Sequence, residues 1–314
     1  MDNLVFALNG ILPIFAIVFF GFFLRRKNII NEEFCAASSN LVFIAALPAM
    51  LFRDVATTDI RSVFNINTIL FAGVSSVVIM VLLQVISGVF IKEKQKRGAF
   101  IQGIIRSNYA IFGLPIAYNL FGQEGLTKSA ILLAFVTPLI NILSIITLTI
   151  NSPNHIKTNI FKLIGSIIKN PFIIAIAAAI PFSFFGIIIP EIAIKTINYV
   201  SSLAMPLALI GIGGSFSFNS MKKSITLSMI AASLRNIIIP IIITITLIYF
   251  GFRGVDAGVV FILYAAPTAI SSYIMAKAMG SDSELASNII LISTLSSILT
   301  ITLGIFFLKS YGIV

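Results

Sequence analysis

The chain has 314 residues, 58% of them hydrophobic and only 10% charged, with a mean hydropathy of +1.08. That is too apolar and too weakly charged for an ordinary soluble domain, so lipid is the expected solvent for most of it. A single cysteine, Cys35, and a single histidine, His155, exclude an intrachain disulfide, a thiolate cluster and the usual multi-histidine metal site; no cofactor is expected, and the net charge of +10 is spread over loops rather than gathered into a nucleic-acid footprint.

Asp2 opens an apolar run with no basic leader and no small-residue cleavage site, which reads as a first transmembrane helix and not a signal peptide. Crossing about 30 Å of hydrocarbon takes roughly 20 apolar residues. Ten runs qualify: 3–24, 34–52, 66–91, 98–121, 127–150, 171–189, 192–217, 224–250, 255–279 and 285–308. With the N-terminus outside, the inside connections and adjoining span ends hold Arg25, Arg26, Lys27, Lys92, Lys94, Lys96, Arg97, Lys157, Lys162, Lys169, Lys222, Lys223 and Lys277. The outside segments hold only Arg53, Arg61, Lys128, Arg253 and Lys309. Thirteen against five places both termini outside a multi-pass cell membrane, inner or plasma.

The inside connection 151–170 is the longest, and residues 160–169 mix apolar and basic side chains as an amphipathic surface helix does. It divides the chain into 1–150 and 171–314, each with five spans. Because five is odd, the second half enters from the opposite side, the condition for an inverted repeat. Weak internal similarity agrees: spans two and seven each carry one interior proline, Pro48 and Pro206, and spans four and nine end in matching glycine-bearing stretches at Gly122 and Gly280.

Span four is the unusual one, since residues 106–122 combine a charge, two asparagines and Gly113-Leu114-Pro115 inside an apolar run. A broken helix is tolerated in the membrane only where protein or a water-filled cavity surrounds the break. Its counterpart in span nine is Tyr264–Ile274, which contains Pro267. Two facing breaks expose half-helix ends that bind charged groups without a buried side-chain charge. Asn108, Tyr109, Thr268, Ser271 and Ser272 add polar groups at that depth, and Asn40 and Asn141 reach toward it from neighbouring spans. Single Asn or Ser residues in membrane helices often serve only helix packing; it is their clustering on two matched breaks that suggests a site. Arg106 and Arg235 lie within spans, where two readings stand: positive potential for an anionic substrate, or snorkelling to the interface. No carboxylate lies mid-span, which argues against a buried Asp or Glu relay. Enzyme motifs are absent: HExxH, G-x-S-x-G and Walker loops do not occur, and Gly211-Ile-Gly-Gly214 fits close helix approach rather than phosphate binding.

Asn40-Leu-Val-Phe-Ile-Ala-Ala-Leu-Pro48, Asn108-Tyr-Ala-Ile-Phe-Gly-Leu-Pro-Ile116, Ser202-Leu-Ala-Met-Pro-Leu-Ala208, Arg235 before Pro240, and Ala265-Ala-Pro-Thr268 occur in that order over nearly the whole chain. The set resembles the auxin efflux carrier family, which includes plant PIN auxin exporters and bacterial relatives linked to malonate or malate transport. The resemblance implies ten helices in a five-plus-five inverted repeat, with spans one, two, six and seven as scaffold and three to five and eight to ten as a transport domain. It further implies crossing broken helices four and nine at Ser107, Asn108 and Pro267, export of small organic anions by an elevator-like movement, and a homodimer through span two or seven. One departure stands out: PIN proteins carry proline just before the crossover asparagine, where this chain has Ser107. The break is therefore expected at 107–109, with Pro115 kinking the outer half-helix. Two other functions stay open, a sodium-coupled symporter of the bile-acid carrier type and a non-transporting membrane sensor.

Overall fold

A computed structural model describes residues 2–58, 61, 64–152, 169, 171–215 and 224–314. Among them the secondary structure is helical: α1 (Asp2–Arg26), α2 (Glu32–Ala56), α3 (Ile66–Phe90), α4 (Lys94–Ile105), α5 (Tyr109–Ile150), α6 (Pro171–Phe185), α7 (Glu191–Gly214), α8 (Ile225–Tyr249), α9 (Gly254–Ala265), α10 (Ser271–Ala278) and α11 (Ser283–Ser310). Seven of these, α1, α2, α3, α5, α7, α8 and α11, are long and apolar enough to cross a membrane. The protein is an all-α polytopic membrane protein. The expected amphipathic helix over 160–169 falls outside the described residues.

Lipid as solvent explains which face each helix turns inward. On α3 the buried positions are Thr68, Ala72, Ser76, Met80, Leu83 and Ser87, while Leu70, Val74, Val78, Leu82, Val85 and Val89 are exposed. Small and hydroxylated residues face the bundle and branched apolar ones face out, the reverse of a soluble amphipathic helix. Ser76 and Ser87 donate to the carbonyls of Ala72 and Leu83, so neither hydroxyl is left unpaired inside.

Prolines shape three of the helices. Widened π turns occur at Val42–Ala46, Tyr109–Gly113 and Leu234–Ile238, each ending two residues before a proline, Pro48, Pro115 and Pro240. Proline lacks the N–H for an intrahelical bond and its ring collides with the carbonyl four residues back, and a widened turn relieves both problems. At 42 residues α5 exceeds a single crossing, and it folds at Gly122, whose φ of 62° breaks the helical path. Residues 109–121 and 123–150 are thus two segments. Gly280, between α10 and α11, likewise has a positive φ, 68°.

Close packing follows the small residues. The 204–214 segment of α7 lies along α1, residues 47–56 of α2 pack on α6 and on 191–202 of α7, and 225–233 of α8 packs on α11. Gly213 seats directly against the backbone of α1 at Val18, which is the close helix approach expected of the Gly211–Gly214 stretch. Helix α6 is shorter than the expected 171–189, because the chain turns at Gly186 with φ 64°. Asn3 donates to Ser310 at 3.2 Å, joining the start of α1 to the end of α11, and Gly254 N–H donates to the Ile313 carbonyl at 2.7 Å, holding residue 313 against the start of α9.

Candidate functional site

Helices α4 and α9 each stop inside the bundle, and the chain runs extended for a few residues before helix resumes as 109–121 and α10. The two extended pieces cross antiparallel, with Ser107 opposite Thr268. Asn108 N–H donates to the Pro267 carbonyl at 2.8 Å and Ala269 N–H donates to the Arg106 carbonyl at 3.0 Å. Backbone thus satisfies backbone where no helix can, as a membrane interior requires.

The carbonyls that end α4 and α9 would otherwise carry uncompensated negative partial charge. Side chains of the crossing meet them. Thr268 Oγ1 donates to Gly103 O at 2.6 Å, and Ser107 Oγ donates to Leu263 O at 2.7 Å. Arg235 donates from Nε to Ala266 O at 2.9 Å and from its two terminal nitrogens to Ile104 O at 2.9 Å and Leu263 O at 3.0 Å. With a relative exposure of 1%, Arg235 neither snorkels nor lines the large cavity described next. Asn236 beside it donates to Ser293 O and Ser296 Oγ, and Ser293 Oγ in turn accepts Thr268 N–H at 3.1 Å.

The opposite, N-terminal ends of 109–121 and α10 face a cavity of about 840 Å³. Residues 106–111 and 269–271 form one wall; Ser39, Asn40, Val42 and Phe43 of α2 and Ala208, Ile212 and Ser215 form another, and Thr137 and Asn141 close a third side. The space extends to Arg25 and Glu32, an ion pair at 2.9 Å that is open to solvent. At the start of α10 the N–H groups of Ser272 and Tyr273 are turned back onto the carbonyls of Ala269 and Ile270, while a helix beginning at Tyr109 leaves its first-turn N–H groups without an intrahelical partner. The N-terminal dipole ends of both half-helices put positive partial charge on this wall without any buried lysine. Arg106 adds a full charge; its guanidinium donates to Met275 Sδ at 2.8 Å and makes no ion pair among the described residues. Asn108, at 7% exposure, lines the cavity and its side-chain amide has no hydrogen-bond partner among the described residues.

Of the residues singled out in the sequence, the structure gathers Asn40, Arg106, Ser107, Asn108, Tyr109, Asn141 and Ser271 around this cavity. Tyr109 is fully enclosed, its hydroxyl hydrogen-bonded with Ser129 Oγ at 2.8 Å and with Val259 O at 3.2 Å, so the hydroxyl is engaged within the protein and not offered to a ligand. Pro267, Thr268 and Arg235 are not in the lining; they hold the crossing from behind. Thr137 went unread in the sequence, although it stands one helical turn before Asn141 and so shares its face. The departure at Ser107 is also explained. Ser107 N–H takes no part in the crossing bonds, and Arg106 has φ −90° and ψ 99°, the extended conformation that a residue before proline adopts. Ser107→Pro is therefore expected to fold and to keep its function within a fewfold, losing only one hydroxyl bond, about 1 kcal/mol, to a carbonyl that Arg235 still serves. Thermal stability and flux of the variant check this, and loss of the folded protein would contradict it.

A family described as membrane transport proteins matches residues 6–305. The chain belongs to this family. It is the family that includes the auxin efflux carriers, as the sequence resemblance implies. An uncharacterized transporter of Methanocaldococcus jannaschii is 25% identical over 306 residues, covering 94% of this chain and 97% of that one. A second uncharacterized transporter, from Methanothermobacter thermautotrophicus, is 22% identical over 93% of this chain and 95% of its own. A Rhizobium meliloti protein named "Putative malonate transporter" is 22% identical over 96% of this chain and 95% of its own.

Proposed function

We propose that this membrane transport protein is a secondary carrier that exports small organic anions, with the anion bound where 109–121 and α10 begin. The observation that carries the reading is the division of charge at the crossing. The negative ends of α4 and α9 are bonded by Arg235, Thr268 and Ser107, while the positive ends, the unpaired Asn108 amide and Arg106 face the cavity. An anion enters such a site with its charge matched by N–H donors, as at other helix N-termini. The relative named for malonate points to dicarboxylates of that size as first candidates.

In this reading the chain is a five-plus-five inverted repeat of ten spans, α4 with 109–121 being the fourth and α9 with α10 the ninth. Support comes from the antiparallel crossing itself and from the paired positive-φ glycines, Gly122 and Gly280, that end the two broken spans. Spans one, two, six and seven form a scaffold, and the remaining six carry the site past it in an elevator-like movement; the cavity lies between these two groups. Both termini lie outside, following the basic residues of the loops, and the scaffold offers the face for a homodimer. The test is flux in proteoliposomes with a panel of mono- and dicarboxylates. Carboxylate flux is expected for the wild type and should be lost when Asn108 and Pro267 are both replaced by alanine; full flux in that double variant would sink the site assignment.

A further inference from the structure

Arg235 is the largest fully buried side chain among the described residues, and its partners there are unusual: three main-chain carbonyls and no carboxylate. Two of these carbonyls end α9, at Leu263 and Ala266, and the third ends α4, at Ile104. A cluster of inward-pointing carbonyls from two helix C-termini, closed off from water, is the chemistry that binds a bare monovalent cation. Here a guanidinium fills it.

We infer that Arg235 is the resident cation of the crossing, a positioning residue that occupies a carbonyl-lined cation site and thereby takes the place of a free, exchangeable ion. For its transport consequence this rests on the carrier reading above. A free sodium ion at such a place would enter and leave with the substrate and couple the two. A tethered guanidinium remains bound throughout the cycle, so the crossing keeps its positive charge and no sodium gradient is harvested there. The arginine is built to stay. Its neighbour Asn236 is anchored to α11 through Ser293 and Ser296, and both residues belong to the π turn Leu234–Ile238, which turns two consecutive polar side chains into the protein interior. A single planar fork also bonds to both broken helices at once, tying the half-helix ends of α4 and α9 into one unit.

The decisive readout needs no substrate. The purified full-length protein in detergent is melted in choline, sodium or guanidinium chloride at tens of millimolar, as wild type and as Arg235→Ala. The wild type should melt at the same temperature in all three. The variant should melt several degrees lower in choline and recover at least half of that shift in guanidinium, with a smaller recovery in sodium. A variant as stable as the wild type in choline, or one that no cation restores, overturns the inference. If Arg235→Ala yields no folded protein, Arg235→Lys decides: retained charge is expected to give a monodisperse protein indifferent to added guanidinium, and failure of this variant as well overturns the proposal. Malonate binding measured beside these melts keeps the two readings apart, since a wild type that ignores malonate removes support for the carrier's substrate class and leaves the cation result standing.

Discussion

Alanine at Gly213 is expected to keep α1 and α7 from seating and to cut the yield of folded protein severely. A Cβ built at Gly213 falls 1.8 Å from the carbonyl oxygen of Val18 and 2.8 Å from the amide nitrogen of Phe22. Both are backbone atoms, so no rotamer change makes room. The facing glycine is no freer, because a Cβ on Gly21 meets Ile210 O at 2.3 Å. The helices must therefore move apart. Inside a membrane there is no hydrophobic force to hold separated helices, whose association depends on van der Waals contact and interhelical hydrogen bonds. Overpacking of this kind costs about 1–3 kcal/mol in soluble cores, and the loss here extends along the whole interface. Function should fall with it, since Ala208, Ile212, Gly214 and Ser215 of the displaced segment wall the cavity. Gly73→Ala is the matched control. A Cβ there lies 3.5 Å from Leu139 Cδ2, an ordinary contact, and alanine is the better helix former by about 1 kcal/mol. Size-exclusion profiles and melting temperatures of the two variants check the claim. A Gly213→Ala protein that elutes and melts like the wild type would show that the two backbones are not in contact.

The membrane class was legible because it follows from composition and run length alone, which need no tertiary knowledge. A break somewhere in span four was legible for a related reason, since a charge, two asparagines and Gly113-Leu114-Pro115 are out of place in lipid unless something receives them. Its position at 107–109 came from the family resemblance, the residues alone pointing to 113–115. What received them was not legible. Arg235 stands 31 residues from Ala266 and 131 from Ile104, and nothing local in Leu-Arg-Asn-Ile-Ile says that its guanidinium reaches two helix ends. The two readings open in the sequence, substrate charge or snorkelling, both assumed that a buried arginine must look outward. Thr268 illustrates the same limit, its depth being inferable and its direction, toward Gly103 and away from the cavity, being set by the crossing geometry. The π turns carried a usable signal, the proline two residues beyond each, but the helical pattern of apolar residues is the same on either side of a widened turn.

Replacement of Asn108 by alanine should separate binding from folding. The crossing is held at this residue by its backbone, the N–H donating to Pro267 O and the carbonyl accepting Phe112 N–H. Alanine keeps both bonds. The side-chain amide contributes to neither, and among the described residues it has no partner; it faces the cavity. Removing it leaves no stranded donor or acceptor in the protein, so stability should change by less than about 1 kcal/mol. Its effect falls on the ligand. A hydrogen bond to a charged group contributes about 1.5–3 kcal/mol, which corresponds to roughly 10- to 150-fold weaker binding of a carboxylate. Pro267→Ala acts by the other route. It retains the carbonyl that Asn108 uses but adds an N–H to a closed crossing and frees a fixed φ, so its cost should appear first as lower thermal stability. The pair therefore predicts opposite patterns: near-native melting with lost dicarboxylate binding for Asn108→Ala, and lowered melting with partial binding for Pro267→Ala. Binding isotherms and melting curves on the same preparations measure both. Should Asn108→Ala melt far below the wild type while binding malonate normally, the amide would be a structural group and the anion site would lie elsewhere in the cavity.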